Sequence, residues 1–236
     1  RKMRPDNLTP LQSFLVALKS AGFNPKHIVD VGANRGAWSR NMISYFPKAR
    51  YSLFEPQSQL AREIKDLQVS HDLHFYPFGV GSEDAIQSFT LHPRQDSCSF
   101  AYSTEEALEL GWEQVQIEVK RLDNFILQEL QVSCPDLIKI DAEGLDLDVL
   151  KGCEALFGQT DFFMIEAGVG QSEFPNSVSV VNELMEKKGY KLFDITDLNR
   201  PFLNARLHLV ELAYVRKNSQ FDTCSLDASL SKHPQD

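Results

Sequence analysis

A loop with two glycines follows the first β-branched run of the chain and is the pattern with the clearest chemical meaning. The run 28–31 leads into this loop, and residues 37–45 then have the pattern of a helix. Glycines at a strand-to-helix turn let the backbone approach a bound molecule closely, and the helix start offers free N–H groups. The residues that we predict to bind a ligand here are Asp30, Gly32, Ala33, Asn34 and Gly36.

A carboxylate follows the next strand. Glu55 lies 25 residues after Asp30 and comes directly after the run 51–54. In dinucleotide sites, an acid at about this distance accepts hydrogen bonds from the ribose hydroxyls. The loop and the acid together therefore predict a ligand that contains adenosine or a similar nucleoside.

The spacing of the glycines separates two classes of nucleoside cofactor. A dinucleotide fingerprint is G-x-G-x-x-G, whereas three residues separate Gly32 from Gly36. An acid before the first glycine would repel a pyrophosphate, so Asp30 suits a ligand with a positive group, such as an ammonium or a sulfonium. The sequence therefore favours S-adenosylmethionine over NAD. The weaker alternative is that Asp30 only caps the turn and that Glu55 is a surface acid.

Strands and helices alternate along the chain and must position these residues. The predicted strands are 28–31, 51–54, 74–80, 136–140 and 162–165, with helical stretches at 37–45, 58–67, 145–151 and from 178 onward. Such alternation predicts an α/β fold with a parallel sheet covered by helices on both faces. Two further strands, 86–91 and 115–122, flank a polar insert at 92–111, and two more, 190–195 and 207–215, close the sequence.

The chain divides into three parts in this interpretation. Residues 1–26 form an amphipathic helix that packs on the core, with Thr9 as N-cap and Gln12 completing a capping box. Residues 27–216 form the main domain, including the insert 92–111. Residues 217–236 are polar without periodicity and are predicted to be a loose tail.

Four segments, in order, resemble the motifs of the FkbM-type methyltransferases. They are residues 29–36 (VDVGANRG), 54–56 (FEP), 119–125 (VKRLDNF) and 138–144 (IKIDAEG), the last continued by 149–152 (VLKG). The resemblance implies a class I, Rossmann-like fold: a mostly parallel seven-stranded sheet with an antiparallel last strand. It also implies S-adenosylmethionine as cofactor and O-methylation of a hydroxyl on a sugar, glycan or natural product.

The carboxyl ends of the strands locate the predicted site. Ligands of open α/β sheets bind outside these ends, so we expect the loops after 31, 54, 80, 140 and 165 to share one crevice. Gly79 and Val80 would then lie along the adenine. Asp141 and Glu143 follow one strand and Glu166 another, which brings acids together where an acceptor should lie.

Methyl transfer to a neutral hydroxyl needs alignment and help in removing the proton. We predict Asp141 as the base, and as part of the cofactor site, with Glu166 as second candidate and Glu143 as a residue that binds acceptor hydroxyls. Two plainer roles remain open: an acid here pairs with Lys139, or Glu143 only begins the next helix.

A divalent metal held by Asp141, Glu166 and His208 is an alternative that we favour less, because no spacing argument supports the trio. Among the other histidines, His92 borders the insert and is the next candidate base. The aromatic side chains in or beside the insert are Phe100, Tyr102 and Trp112. We predict packing for them, rather than stacking on a sugar ring.

Charge and cysteine usage restrict the partners. The 236 residues carry a formal net charge of −9, with 24 Lys and Arg spread along the chain, whereas phosphate-binding proteins usually have a basic face. We therefore expect neither nucleic acid nor a membrane as partner, and a homodimer stays open. The longest stretch without charged residues is 12 residues, against about 20 apolar residues for a bilayer span. Four cysteines without a C-x-x-C pair favour free thiols and a cytoplasmic location.

Two other functions stay open at this stage. A nicotinamide-dependent oxidoreductase or epimerase would use a similar sheet, although the missing middle glycine argues against it. A non-catalytic module that keeps a nucleoside pocket is the alternative outside enzymes.

Overall fold

The computed structural model describes residues 7–93, 98–170 and 175–222. In chain order the strands are β1 (His27–Val31), β2 (Arg50–Phe54), β3 (Leu73–Tyr76), β4 (Gly79–Gly81), β5 (Ala85–Leu91), β6 (Glu113–Arg121), β7 (Leu137–Ile140), β8 (Phe162–Gly168), β9 (Tyr190–Asn199) and β10 (Leu209–Arg216). The α-helices are α1 (Pro10–Ser20), α2 (Ala37–Tyr45), α3 (Lys65–Ser70), α4 (Thr104–Leu110), α5 (Leu122–Asn124), α6 (Asp146–Lys151) and α7 (Val178–Lys187). A 3₁₀ helix (Ser58–Ile64) precedes α3, and a π-helical turn (Phe125–Glu129) follows α5.

Seven strands form the main sheet, in the order β3-β2-β1-β7-β8-β10-β9. The first five of these run parallel, and β10 is inserted antiparallel between β8 and β9. The predicted sheet, including its antiparallel last strand, is confirmed. The strand order changes direction between β1 and β7, and this is the place where open α/β sheets bind ligands.

Two hydrophobic cores lie on the two faces of this sheet, because successive strand residues point to opposite faces. Ile28 packs in one core with apolar side chains of α1, α2 and α3. Val29 packs in the other core with side chains of α6 and α7. Helices thus cover both faces, as expected for an α/β fold.

A proline divides the strand that we predicted at 74–80, so this prediction is wrong in part. β3 ends at Tyr76, and after Pro77 the N–H of Phe78 donates to the carbonyl of Tyr76 at 3.0 Å instead of continuing the ladder with β2. The chain then turns away, and β4 pairs with β6 in a separate three-stranded sheet, β4-β6-β5. The insert 92–111 extends from this smaller sheet, although residues 94–97 lie outside the described part of the chain.

Both ends of the described chain pack on the core. α1 has the predicted capping box between Thr9 and Gln12, and its Phe14 ring lies 6.0 Å from that of Phe162. Phe221 is buried with its ring 5.3 Å from that of Phe23, so the start of the predicted tail is not loose. Residues 223–236 lie outside the described residues. Within the described ranges, no helix has the length and apolar character to cross a membrane.

Candidate cofactor site

A cavity of about 180 Å³ opens at the carboxyl ends of β1, β2 and β7. Seven of the residues that the sequence predicts for the site line it: Gly32, Asn34, Glu55, Gly79, Val80, Asp141 and Glu143. Four predicted residues do not line it: Asp30, Ala33, Gly36 and Glu166. Four of the five strand ends that we expected to share a crevice therefore meet at the cavity, and the end of 162–165 does not.

Glu55 is a buried carboxylate on the cavity wall, only 4% exposed. One oxygen accepts a hydrogen bond from the N–H of Asn34 at 2.9 Å and the other from the N–H of Gln57 at 3.0 Å. Burial raises the pKa of Glu55, and these backbone bonds oppose that shift. A carboxylate has about four acceptor positions, so the two backbone bonds do not exhaust it.

The glycine loop is held by the protein itself. The N–H groups of Gly32 and Ala33 both donate to the carbonyl of Phe54, at 2.9 and 3.1 Å, and the N–H of Gly36 donates to Ala33 at 2.8 Å. The N–H of Asn34 is bound to Glu55. The N–H groups of these four loop residues are therefore not free to bind a ligand.

Close packing explains why the loop needs its glycines. Gly32 has φ +72°, and a Cβ there would lie 1.8 Å from the carbonyl oxygen of Asp141. At Gly36, also with φ +72°, a Cβ would lie 2.7 Å from Ile64 Cγ2. Gly32 thus lets the loop after β1 contact the loop after β7, and both loops line the cavity.

Asp30 is fully buried behind the loop, and its carboxylate lies beside a positively charged side chain of the protein itself. Its Oδ2 accepts a hydrogen bond from Ser39 Oγ at 2.6 Å, and its Oδ1 lies 3.4 Å from Lys139 Nζ. Burial raises the pKa of Asp30, and Lys139 and Ser39 act in the opposite direction. Lys139 therefore has the position that the sequence argument assigned to a positive group of the ligand.

Asp141 pairs with Lys139 and still faces the cavity. Its Oδ2 lies 3.0 Å from Lys139 Nζ, and 34% of its side chain is exposed. Burial disfavours the charged form of Lys139, but the charges of Asp141, Asp30 and Glu211 outweigh this and raise the pKa of the lysine. Pairing with Lys139 is thus present, and it leaves Asp141 accessible from the cavity.

Glu166 lies on β8, directly opposite Glu211 of the neighbouring antiparallel strand β10. Burial, and then the charges of Asp141, Asp146 and Glu143, raise the pKa of Glu166 far above its ordinary value. Burial likewise raises the pKa of Glu211 to about 7. A carboxyl group in this state holds its proton near neutral pH, so Glu166 is a poorer base than the sequence suggested.

Asp146 is a buried carboxyl group that the sequence analysis missed. It accepts hydrogen bonds from the N–H of Ala142 at 2.9 Å and from Asn176 Nδ2 at 2.7 Å. Burial raises its pKa to about 6. It fixes the backbone between Asp141 and Glu143. The only sequence signal for Asp146 is that it is the third acidic residue of the segment DAEGLD, which follows the strand.

The insert supplies a second group of residues that the sequence analysis did not assign to the site. Ser99 donates a hydrogen bond to the carbonyl of Glu143 at 2.9 Å, where Glu143 has φ +50°. Phe100 lies against Gly79, where a Cβ would be 2.7 Å from its Cζ. Both line the cavity, as does Cys98.

The cavity also has an aromatic wall, formed by Phe54, Phe78, Phe89 and Phe100. The rings of Phe54 and Phe78 are 5.5 Å apart, and those of Phe89 and Phe100 are 4.6 Å apart. Phe54 and Phe78 could have been found from the sequence, because each precedes a predicted site residue at a strand end. Phe89 and Phe100 come from the smaller sheet and the insert, which matched no motif.

The remaining candidates have other contacts. The rings of His92 and Tyr102 pack against Trp112, at 4.5 and 5.1 Å, and His208 packs against Phe202 at 4.8 Å. Among the residues that the structure describes, no three His, Cys, Asp or Glu side chains are arranged to hold a metal ion.

Comparison with known proteins assigns the chain to a family. The model of the methyltransferase FkbM domain matches residues 30–192, which is more than half of the chain. The chain belongs to the FkbM methyltransferase family. The resemblance inferred from the four motifs and the prediction of a methyltransferase are thereby confirmed.

Two curated relatives of this FkbM protein are methyltransferases by name. It is 26% identical to Methyltransferase 1 of Beauveria bassiana over 182 residues, which covers 69% of this chain and 71% of the relative. It is also 26% identical to the 2-O-methyltransferase NoeI of Sinorhizobium fredii over 152 residues, covering 59% of this chain and 62% of that protein.

A solved structure of an FkbM methyltransferase from Methylobacillus flagellatus has the same fold. It superposes with a TM-score of 0.51 at 16% identity, covering 79% of this chain. This chain spans only 43% of that one, and the likeness therefore concerns the fold.

Proposed function

We propose that the protein transfers the methyl group of S-adenosylmethionine to a hydroxyl of a sugar, glycan or natural product. The observation that carries the proposal is the cavity at the carboxyl ends of β1, β2 and β7, with Glu55 and Asp141 on its wall. Membership of the FkbM family supports methyl transfer. The name of one relative, a 2-O-methyltransferase, supports a hydroxyl as the acceptor group.

The cavity residues suit this cofactor. The buried Glu55 carboxylate has acceptor positions for the two hydroxyls of a ribose. Phe54, Phe78 and Phe100 provide an apolar aromatic wall for an adenine, beside Gly79 and Val80. Asp141 and the loop Gly32–Asn34 would meet the methionine part, where a carboxylate favours positive charge. When bound, the cofactor supplies an electrophilic methyl group on a sulfonium.

Asp141 is the residue that we propose as proton acceptor. Methyl transfer leaves the acceptor oxygen with a proton to lose, and a carboxylate within reach takes it up. The ammonium of Lys139 lies 3.0 Å from Asp141 Oδ2, and 34% of the Asp141 side chain is exposed at the cavity. Glu166 holds a proton because its pKa is raised, so we assign it a hydrogen-bonding role and keep it as the second candidate.

The acceptor would approach from the open side of the cavity. Glu143 is exposed there and is proposed to bind acceptor hydroxyls. The net charge of −9 argues against nucleic acid as acceptor. Cys134 and Cys153 are free thiols, which supports a cytoplasmic location. A divalent metal and a homodimer stay secondary proposals.

Turnover with a labelled methyl group tests the proposal. The purified protein is incubated with methyl-labelled S-adenosylmethionine and a panel of hydroxylated sugars, glycans and natural products. We expect label on an acceptor oxygen, together with one equivalent of S-adenosylhomocysteine. Asp66→Asn, which changes an exposed carboxylate paired with Arg40, is the matched control for Asp141→Asn. Label found only on nitrogen or carbon would contradict the proposed acceptor class.

A further inference from the structure

Lys139 is a buried cation with three oxygen atoms around its ammonium group. Asp141 Oδ2 lies at 3.0 Å, the carbonyl oxygen of Gly32 at 3.3 Å and Asp30 Oδ1 at 3.4 Å. A lysine ammonium has three N–H donors and accepts nothing. The ammonium therefore donates a hydrogen bond to the Gly32 carbonyl and forms ion pairs with the two carboxylates.

These oxygens belong to three different parts of the site. Asp30 lies in β1, Gly32 in the loop that follows it, and Asp141 in the loop after β7. Gly32 and Asp141 line the cavity, whereas Asp30 and Lys139 lie behind it. Lys139 therefore bridges two walls of the cavity without belonging to the wall itself.

Neutralising Asp30 does not account for the whole arrangement. Asp30 also accepts a hydrogen bond from Ser39 at 2.6 Å, and its distance to Lys139 is the longest of the three. The shortest contact is to Asp141, whose carboxylate is partly exposed at the cavity. With Oδ2 bound to Lys139, the other oxygen of Asp141 is the one that can meet a ligand.

We infer that Lys139 is a positioning residue, which orients the Asp141 carboxylate and the Gly32 carbonyl on two adjoining loops that line the cofactor cavity. The inference rests on the proposed function, because it assumes that this cavity holds the cofactor. It predicts that removing Lys139 weakens cofactor binding even when its charge partner Asp30 is removed as well.

A paired replacement separates positioning from simple charge balance. Lys139→Met alone leaves buried carboxylates without their cation and destabilises the fold. Asp30→Asn/Lys139→Met removes both charges, and replacing a buried ion pair together often leaves stability nearly unchanged. Lys188→Met, in which the lysine pairs with Glu154 away from the cavity, is the control.

Calorimetric titration with S-adenosylhomocysteine gives the readout. We expect the paired variant to melt near the parent temperature but to bind S-adenosylhomocysteine about tenfold more weakly. A loss of this size lies within the range of interaction energies between residues in contact. Asp141→Asn should weaken binding several-fold in the parent and cause little further loss in the paired variant. Parent-like affinity in a folded paired variant would overturn the inference and leave the proposed function standing. A parent that does not bind at all would instead refute the proposed function.

A measurement on the unmodified side chain makes the test independent of how the variants fold. The ¹⁵N resonance of the Lys139 ammonium is followed by NMR during titration of the parent with S-adenosylhomocysteine. Positioning predicts that this signal shifts on binding, while the signal of Lys188 does not. A Lys139 signal that stays unchanged at saturation would overturn the inference.

Discussion

Gly32→Ala tests the close contact between the two loops that form the cavity. A Cβ at this position would lie 1.8 Å from the carbonyl oxygen of Asp141, and the residue has φ +72°. The left-handed conformation costs an alanine about 1–2 kcal/mol. The clash must be relieved by moving backbone, which we compare with overpacking costs of about 1–3 kcal/mol. The expected loss in the free energy of unfolding is therefore about 2–5 kcal/mol.

Gly111→Ala separates the cost of the left-handed conformation from the cost of the clash. Gly111 has φ +68°, nearly the same as Gly32, but nothing lies within 4 Å of its Cβ position. Its substitution should therefore cost only the conformational part, about 1–2 kcal/mol.

Thermal unfolding followed by circular dichroism measures both variants. In a chain of this size, a loss of 1 kcal/mol in the free energy of unfolding lowers Tm by about 2–4 °C. We expect Gly32→Ala to melt about 2–12 °C below Gly111→Ala. Equal melting temperatures would refute the argument that Gly32 is required by the contact with Asp141.

Three further predictions concern the groups around the cavity. Ser99→Ala removes a hydrogen bond to the Glu143 carbonyl and one from the N–H of Ala101, so the free energy of unfolding should fall by about 1–3 kcal/mol. The control variant Ser44→Ala, at an exposed helical position, should lower the free energy of unfolding far less. Equal losses in the two variants would contradict the account. Burial raises the pKa of Asp146 from 3.8 to about 6. The protonated carboxyl group therefore contributes fully to stability below pH 4, and this contribution is lost as the pH rises through 6. At 1.36 kcal/mol per pKa unit, the free energy of unfolding should fall by about 3 kcal/mol. Asp146→Asn should flatten that part of a denaturant-based pH profile, and a profile like the parent's would contradict the shift. Asp141→Asn should lower kcat about 10²-fold or more. This loss should exceed the several-fold loss of S-adenosylhomocysteine affinity in the same variant. Turnover at the parent rate would remove Asp141 from the mechanism.

The main sheet could be predicted from the sequence because its pattern is local. Alternation of apolar runs with amphipathic stretches predicts strands and helices from neighbouring residues alone. The division of the third strand at Pro77 was missed, although the residue is visible, because Tyr76 and Phe78 on either side continue the apolar pattern. The partner of β4 lies forty residues further on, in β6, and pairing over such a distance leaves no mark in a single sequence.

The position of the cavity could be predicted in outline for the same reason. Gly32, Glu55 and Asp141 follow strand ends, so the topology of the sheet brings them to one cavity. The cation beside Asp30 was assigned to a ligand because Lys139 is 109 residues away and meets it only across adjacent strands. Ser99 and Phe100 reach the cavity through contacts with Glu143 and Gly79, which depend on the path of the insert.

Calorimetric titration with S-adenosylhomocysteine, with NADH as comparator, tests the central claim most directly. We predict that the parent binds S-adenosylhomocysteine and not NADH. Glu55→Gln should bind about 10–100-fold more weakly, because hydrogen bonds to a charged group contribute about 1.5–3 kcal/mol. Glu183→Gln, at an exposed glutamate paired with Lys187, should bind like the parent. Binding of NADH alone, or undiminished binding by Glu55→Gln, would contradict the account.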